Sequence, residues 1–254
     1  MKINTAKQRM LEGKPAVGVT LGLGSPLAAE TLSHAGFDFV LVDTQHGSWD
    51  LTDTMLAFRS VCLGSAIPMA RVQKNDFYAI GALLDRGALG IVVPMVNSVE
   101  EARAAAFAVR YPPRGGRSSG ASLAASLHGP DYERWIDDEV FLAVQIETEQ
   151  ALNCAEEILA VEGVDGCWIG PMDLSKSLGI DPNTDEGAKA LEAAVLRVLE
   201  ACQKTNKAPG IWAGTGDNAG YWIERGFLFV TAGSDAQFIH SGAHDALRKL
   251  GRLS

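Results

Sequence analysis

Charged and polar side chains follow several apolar runs of this sequence, and their types are those that can do chemistry. Asp43 and His46 follow one run, Arg71 ends the next, and Glu147 and Asp173 follow two later runs. A neutral histidine accepts a proton near pH 7, and an arginine binds a carboxylate or stabilises a developing oxyanion. Two carboxylates, with waters and a substrate oxygen, suit a hard divalent cation such as Mg²⁺ or Mn²⁺.

Each of these residues also has a purely structural explanation. His46 could be an ordinary structural histidine, and Arg71 could be the buried partner of Asp43. Glu147 and Asp173 could be salt-bridged or helix-capping carboxylates. A functional site is nevertheless favoured, because charges that enter a core cost free energy unless they are paired or bound to a metal.

Eight short runs predict the β-strands that must position these residues. The runs are apolar on both faces and stop at turn residues, as buried parallel strands do. They are 16–21, 37–42, 66–71, 88–94, 140–147, 164–170, 208–213 and 227–231. Helices separate them, and Ser25 and Ser98 have the spacing of helix N-caps. Eight strands alternating with helices in 254 residues predict an α/β protein of the (β/α)8 barrel type.

An open doubly wound sheet is the other architecture that this alternation allows. No linker or change of composition divides the chain, so we expect one domain over residues 1–254. In a (β/α)8 barrel the C-terminal ends of the strands meet at one face, where catalytic residues lie. The charged residues above are therefore expected to come together there.

The region between the fourth and fifth runs is unusually long. It contains the sequence YPPRGGRSSG from residue 111 and continues to about residue 131. A long stretch without regular structure in a compact domain is usually functional or mobile, which predicts a lid or rim loop. A packed surface excursion is the alternative.

Composition excludes several classes of function. The chain has 22 Lys and Arg against 31 Asp and Glu, a net charge of −9, which argues against nucleic-acid binding. No apolar run approaches the roughly 20 residues that cross a bilayer, and the N-terminus lacks the apolar core of a secretory signal. The four cysteines have no metal-site spacing. A cytoplasmic protein that contacts neither membrane nor nucleic acid is expected.

Several motifs in order resemble the HpcH/HpaI aldolase family. They are FVLVDTQHG at 39–47, PMV at 94–96, YPPRGGR at 111–117, QIET at 145–148 and DGCWIGPMDLS at 165–175. The family consists of metal-dependent (class II) pyruvate aldolases of the 4-hydroxy-2-oxoheptanedioate and 2-dehydro-3-deoxyglucarate type. The resemblance implies a phosphoenolpyruvate/pyruvate-type (β/α)8 barrel. It also implies reversible cleavage of a 4-hydroxy-2-oxo acid to pyruvate, or a related 2-oxo acid, and an aldehyde through a metal-stabilised enolate.

The resemblance also implies roles for individual residues. Glu147 and Asp173 would bind the divalent cation, Mg²⁺ or Mn²⁺ with Co²⁺ as a further option. His46 would be the general base, Arg71 would stabilise the enolate, and Asp85 would raise the basicity of the histidine.

Other residues are implied to hold the substrate or to support these groups. Gln145 and Met172 would bind pyruvate together with Asp173 and Arg71, and Asp43 and Gln45 would lie behind them. The chain departs from many members in three places. Gln45 stands where several have Glu, Met172 where many have Ala, and Arg117-Ser118 where many have Arg-Gly. The first change alters the expected proton relay, and the other two alter the substrate mouth.

Asp85 precedes Gly87 at a predicted helix end, which places it at the barrel face opposite His46. Its implied role therefore requires a neighbouring subunit, and we expect a homo-oligomer with shared sites. The resemblance implies a hexamer that exchanges the C-terminal helix, expected over 236–254. Four apolar residues have the helical spacing for this contact: Phe238, Ile239, Leu247 and Leu250.

Two other functions are compatible with the same residues. An oxaloacetate decarboxylase would use the same metal and enolate chemistry. A non-catalytic barrel that binds a metal and a carboxylate ligand is of a different class. The presence of His46 and Arg71 beside the metal pair argues against it, because binding alone needs no base.

Overall fold

The eight predicted strands form a closed parallel barrel in chain order. This computed structural model describes residues 3–252. The strands are β1 Ala16–Leu21, β2 Phe39–Asp43, β3 Ile67–Arg71, β4 Gly90–Val93, β5 Phe141–Ile146, β6 Gly166–Ile169, β7 Gly210–Trp212 and β8 Phe229–Ser234. The (β/α)8 prediction is confirmed. The last strand extends to Ser234 because Ser234 pairs with Thr20 of β1 beyond a register shift.

Helices connect the strands around the outside of the barrel. They are α1 Thr5–Leu11, α2 Pro26–Ser33, α3 Leu51–Val61, α4 Phe77–Asp85, α5 Val99–Val109, α6 Ser122–His128, α7 Tyr132–Glu139, α8 Glu149–Asn153, α9 Ala155–Leu159, α10 Pro171–Ser177, α11 Asp185–Thr205, α12 Gly216–Glu224 and α13 Asp235–Lys249. Ser25 and Ser98 cap α2 and α5, as predicted. None of the described helices is long and apolar enough to cross a membrane.

The N-terminal end of the barrel interior is filled by aromatic rings. The Phe229 ring lies 4.6 Å from the Phe39 ring and 5.0 Å from the Phe141 ring, measured between centroids. Gly18 leaves room for this packing, since a Cβ at Gly18 would lie 2.4 Å from the Phe39 ring. Side chains alternate along a strand, so Phe39 and Asp43 of β2 share a face. The apolar end therefore leaves the C-terminal end for the polar side chains.

The segment from residue 111 to residue 131 is not a lid over the strand ends of its own chain. Its second half includes α6, and Arg117 in its first half has a side chain that is only 1% exposed. The Arg117 guanidinium lies over the rings of Tyr111 and Tyr132, at 4.6 and 5.4 Å from their centroids. It also pairs with Asp85, where α4 leads into the start of β4. The lid prediction is wrong, and the packed excursion describes the segment, because stacking and the ion pair hold it at the N-terminal edge.

Helix α13 leaves the barrel after its first turn. Asp235 is its one buried residue, and the Asp235 carboxylate accepts the backbone N–H groups of Gly22 and Leu23 at 3.0 Å each. Further along, Ile239 is 61% exposed and Leu247 is 41% exposed. The chain therefore presents apolar side chains of this helix to the outside. Residues 1, 2, 253 and 254 of the expected domain, including the end of the expected 236–254 segment, lie outside the described residues.

Candidate active site

A cavity of about 180 Å³ opens at the C-terminal ends of the strands. Several predicted site residues line it, and they come from β2, β3, β5 and the segment after β6. These are Asp43, His46, Arg71, Gln145, Met172 and Asp173. Parallel strands all end at the same edge of the barrel, so residues far apart in sequence converge there. The structure thus brings together most of the residues that the sequence singled out.

Arg71 and Asp43 form a bidentate ion pair inside this cavity. Their Cα positions are partners in the β2–β3 register, so the two side chains start side by side. Arg71 Nε donates to Asp43 Oδ1 at 2.9 Å, and Nη2 donates to Oδ2. The guanidinium also lies 5.2 Å from the centre of the Trp168 ring. Arg71 is therefore the buried partner of Asp43, one of the two explanations left open, and it also presents a fixed cation to the cavity.

Asp43 also shapes the turn that carries His46. Its Oδ1 accepts the backbone N–H groups of Gln45 at 3.1 Å and His46 at 3.3 Å. Gly47 closes the turn, and a Cβ there would lie 2.4 Å from the Asp43 carbonyl oxygen. The turn therefore requires glycine, and it leaves His46 exposed at the mouth of the cavity. An exposed imidazole beside a fixed cation can exchange protons with a bound molecule.

Glu147 contacts the Gln145 side chain and is only 3% exposed. Its Oε1 accepts the backbone N–H of Met95 at 2.8 Å, and its Oε2 accepts Gln145 Nε2 at 2.7 Å. Burial raises the pKa of Glu147, and the nearby charge of Asp173 raises it further. The Met95 N–H bond and the Arg71 charge oppose these effects on the pKa without overcoming them. A buried carboxylate of this kind gains from a cation that compensates its charge.

The donor atoms around Glu147 fit a hard divalent cation. Gln145 Oε1 is buried without a hydrogen-bond partner among the described residues, and Asp173 is half exposed at the start of α10. All of these donors are oxygens, which Mg²⁺ and Mn²⁺ prefer. The described residues contain no group of three or more His, Cys, Asp or Glu side chains that could hold a metal. Two carboxylates would leave the other coordination positions to water and substrate, as is usual for Mg²⁺.

Two predicted residues lie elsewhere. Asp85 ends α4 at the N-terminal edge, where its half-exposed carboxylate pairs with Arg117 Nη2 at 2.7 Å. It is on the opposite side of the barrel from His46. Gln45 points into a separate cavity beside the site, and its Oε1 is buried without a partner among residues 3–252. Because successive residues of this turn face different ways, Gln45 and His46 line different spaces.

Sequence reasoning missed three residues that line the cavity: Thr20, Trp168 and Trp212. Each lies on a strand in the register that faces the barrel interior. Trp168 is in one of the motifs quoted above, but as an apolar residue it carries no chemical signal. The period of two along β6 and β7 could have placed both tryptophans inside. They add aromatic surface to the cavity, and the Trp168 ring lies against the Arg71 guanidinium.

The sequence and the fold are similar to those of known proteins. A family model described as HpcH/HpaI aldolase/citrate lyase matches residues 17–241. The chain belongs to this family. A 4-hydroxy-2-oxo-heptane-1,7-dioate aldolase of Shigella sonnei is 37% identical over 253 residues, covering 98% of this chain and 95% of the relative. This HpcH/HpaI protein is a carbon–carbon lyase, as the family and its named aldolases indicate.

Two solved structures of the HpcH/HpaI family have the same architecture. A family protein of Burkholderia cenocepacia superposes with a TM-score of 0.90 at 30% identity, covering 97% of this chain and 99% of that one. An HpcH/HpaI aldolase of Desulfitobacterium hafniense superposes with a TM-score of 0.88 at 25% identity, covering 98% and 97%. The similarity therefore extends over the whole barrel.

Proposed function

We propose that this protein is a divalent-metal-dependent aldolase. Its substrate would be a 4-hydroxy-2-oxo acid, cleaved reversibly to pyruvate, or a related 2-oxo acid, and an aldehyde. The observation that supports this most is the single cavity that holds a fixed guanidinium, an exposed imidazole and the carboxylate of Asp173, with Glu147 directly behind. These are the groups that stabilise an enolate, move a proton and hold a cation.

Glu147 and Asp173 would hold the cation, with Mg²⁺ or Mn²⁺ the best match to their oxygens. When bound, the ion supplies Lewis-acid polarisation of the 2-oxo acid. Gln145 Oε1, which has no partner among the described residues, can accept a hydrogen bond from a coordinated water. Met172 at the start of α10 covers the outer side of the same space.

His46 would act on the proton and Arg71 on the charge. In the cleavage direction, His46 accepts the proton of the C4 hydroxyl group, and the bond between C3 and C4 breaks. The aldehyde leaves, and the electron pair remains on the 2-oxo acid as an enolate. Arg71 faces the developing negative charge, and Asp43 keeps the guanidinium in one orientation. In the synthetic direction, His46 removes a methyl proton of pyruvate.

The test is deuterium exchange into the methyl group of pyruvate in D₂O, followed by proton NMR. We expect exchange with Mg²⁺ or Mn²⁺, and none with a chelator or in His46→Ala. The exposed His34, which lies at the end of α2 away from the cavity, provides the matched control His34→Ala. Absence of exchange at a loaded metal site would refute the proposal for pyruvate. Oxaloacetate in the same assay would detect decarboxylation.

We also propose that the active enzyme is a homo-oligomer, a hexamer by the family resemblance, with α13 packed on a neighbouring subunit. Asp85 would then reach His46 of another chain, since within one chain the two lie at opposite ends of the barrel. Half-exposed Asp85 is accessible for such a contact, and Arg117 holds it in place. Mixed oligomers of inactive His46→Ala and Asp85→Asn chains should regain activity. No recovery in mixed oligomers verified by mass spectrometry would contradict the shared site.

A further inference from the structure

The Arg71 guanidinium is held along one edge by hydrogen bonds. Its Nε and Nη2 donate to the two oxygens of Asp43, whereas Nη1 makes no hydrogen bond with the described residues. Two hydrogen bonds along one edge fix that edge, but the guanidinium plane can still tilt about it, because hydrogen bonds tolerate moderate bending. The direction of the Nη1 donors in the cavity therefore depends on a second contact.

Trp168 makes that contact. Its Cα is the partner of Gln145 in the β5–β6 register, so both side chains face the barrel interior, and both line the active-site cavity. The Arg71 Cζ atom lies over the indole ring, 5.2 Å from its centroid, which is within the limit of about 6 Å for a cation–π contact. A ring in this position limits the tilt that Asp43 allows.

The indole N–H of Trp168 indicates that packing alone does not explain this tryptophan. Trp168 is only 2% exposed, and its Nε1 has no hydrogen-bond partner among residues 3–252. Buried tryptophans usually find such a partner, as Trp49 does by donating to the Leu21 carbonyl oxygen at 2.9 Å. A phenylalanine would fill most of the same space without burying an unpaired donor, which costs stability. What the indole adds is the strongest cation–π contact among the aromatic side chains.

We propose that Trp168 is a positioning residue that holds the Arg71 guanidinium in its working orientation. Asp43 fixes the edge of the guanidinium and Trp168 fixes its plane, so the Nη1 donors keep one direction toward a bound molecule. The inference rests on the proposed aldolase function for what Arg71 does to that molecule. The placement of Arg71 can be tested without turnover.

Pyruvate methyl exchange with Mg²⁺ tests the effect on the reaction. Trp168→Leu removes the ring, and we expect kcat to fall at least about tenfold; Trp168→Phe keeps a ring with a weaker cation–π contact, and kcat should fall about fivefold. KM for pyruvate should change by less than about twofold in both variants, because Arg71 acts on charge that develops in the transition state. Loss of packing alone would lower stability without this division between kcat and KM.

Trp135→Phe is the matched control. Trp135 lies on α7 outside the barrel, is 5% exposed, and has an Nε1 that also lacks a hydrogen-bond partner in the described part of the chain. The two Phe variants lose the same kind of buried N–H group, which offsets the lost ring contacts, so both should keep the urea midpoint of the wild-type protein. Only Trp168→Phe should lose kcat.

A kcat that is unchanged in Trp168→Leu would overturn the proposal. A rise of KM without a fall of kcat would also overturn it, because the ring would then act on the substrate and not on Arg71.

Crystal structures of the wild-type protein and the two Trp168 variants show the Arg71 side chain directly. In Trp168→Leu we expect the guanidinium to leave its present plane or to occupy more than one conformer, and in Trp168→Phe it should move less. One unchanged conformer in Trp168→Leu would refute the positioning role, whatever the activity. If Arg71 moves as expected and the wild-type protein does not exchange pyruvate, only the proposed reaction fails.

Discussion

The ion pair between Arg71 and Asp43 allows a quantitative test of the site's architecture. The two side chains are only 11% and 12% exposed, and they make a bidentate contact. Removing one partner of a buried pair leaves an uncompensated charge and costs roughly 3–5 kcal/mol. We expect Asp43→Ala to lower the free energy of unfolding by about that amount. The Asp43 carboxylate also holds two backbone N–H groups, which moves the expected loss toward the upper end.

A second substitution, at Arg71, distinguishes the cost of the unpaired charge from the cost of lost packing. Adding Arg71→Met to Asp43→Ala removes the unpaired cation, so the double variant should regain about 1–2 kcal/mol relative to Asp43→Ala. Urea unfolding at one fixed protein concentration measures all variants. The exposed pair of Arg114 and Asp138 is the control, with side chains 49% and 76% exposed. Asp138→Ala should change stability by less than about 1 kcal/mol. A double variant that is less stable than Asp43→Ala would refute the pairing.

Three further predictions address the metal site and the assembly. Gly170→Ala should weaken Mn²⁺ binding, measured by electron paramagnetic resonance titration, at least about tenfold, because the added Cβ would lie 2.9 Å from Glu147 Oε2. Gly216→Ala is the control and should leave Mn²⁺ binding unchanged, since no atom lies within 4 Å of a Cβ at that position. Burial raises the pKa of Glu147, and the ion binds the deprotonated carboxylate, so the loss of Mn²⁺ affinity on acidification should begin at a higher pH than it would for a glutamate of ordinary pKa. An Mn²⁺ affinity that stays constant down to the pH at which an ordinary glutamate is protonated would contradict this. Ile239→Asp on α13 should lower the mass found by sedimentation, whereas Leu11→Asp on α1 should not, although Leu11 is more exposed than Ile239 (79% against 61%). An unchanged mass in Ile239→Asp would contradict packing through α13.

The sequence was sufficient to predict the barrel and most of the charged residues at the C-terminal ends of its strands. Short apolar runs with turn residues between them define strands, and parallel strands must end at a common edge. Arg71 and Gln145 therefore had to come near one another, and Asp173 follows shortly after the end of β6. The motifs in order also identified the family before the barrel was seen, because a family pattern records residue types at strand ends.

The pairings at the rim were decided only by the tertiary structure. The β2–β3 register places Asp43 beside Arg71, and a register depends on hydrogen bonds between distant segments. Glu147 accepts the backbone N–H of Met95, and Met95 has a positive φ of 55°. A methionine in the sequence does not predict that backbone conformation. Gln45 and His46 are neighbours in sequence, yet a turn sends their side chains into different cavities.

The segment from 111 to 131 illustrates the same limit. Its prolines, glycines and serines indicated a loop, but they carried no information about which end of the barrel it covers. Arg117 is held by two tyrosine rings and by Asp85, and these partners come from other elements of the chain. Local composition determines where regular structure stops, because turns depend on neighbouring residues. Where such a segment packs depends on contacts between residues far apart in sequence, and only the folded chain brings those together.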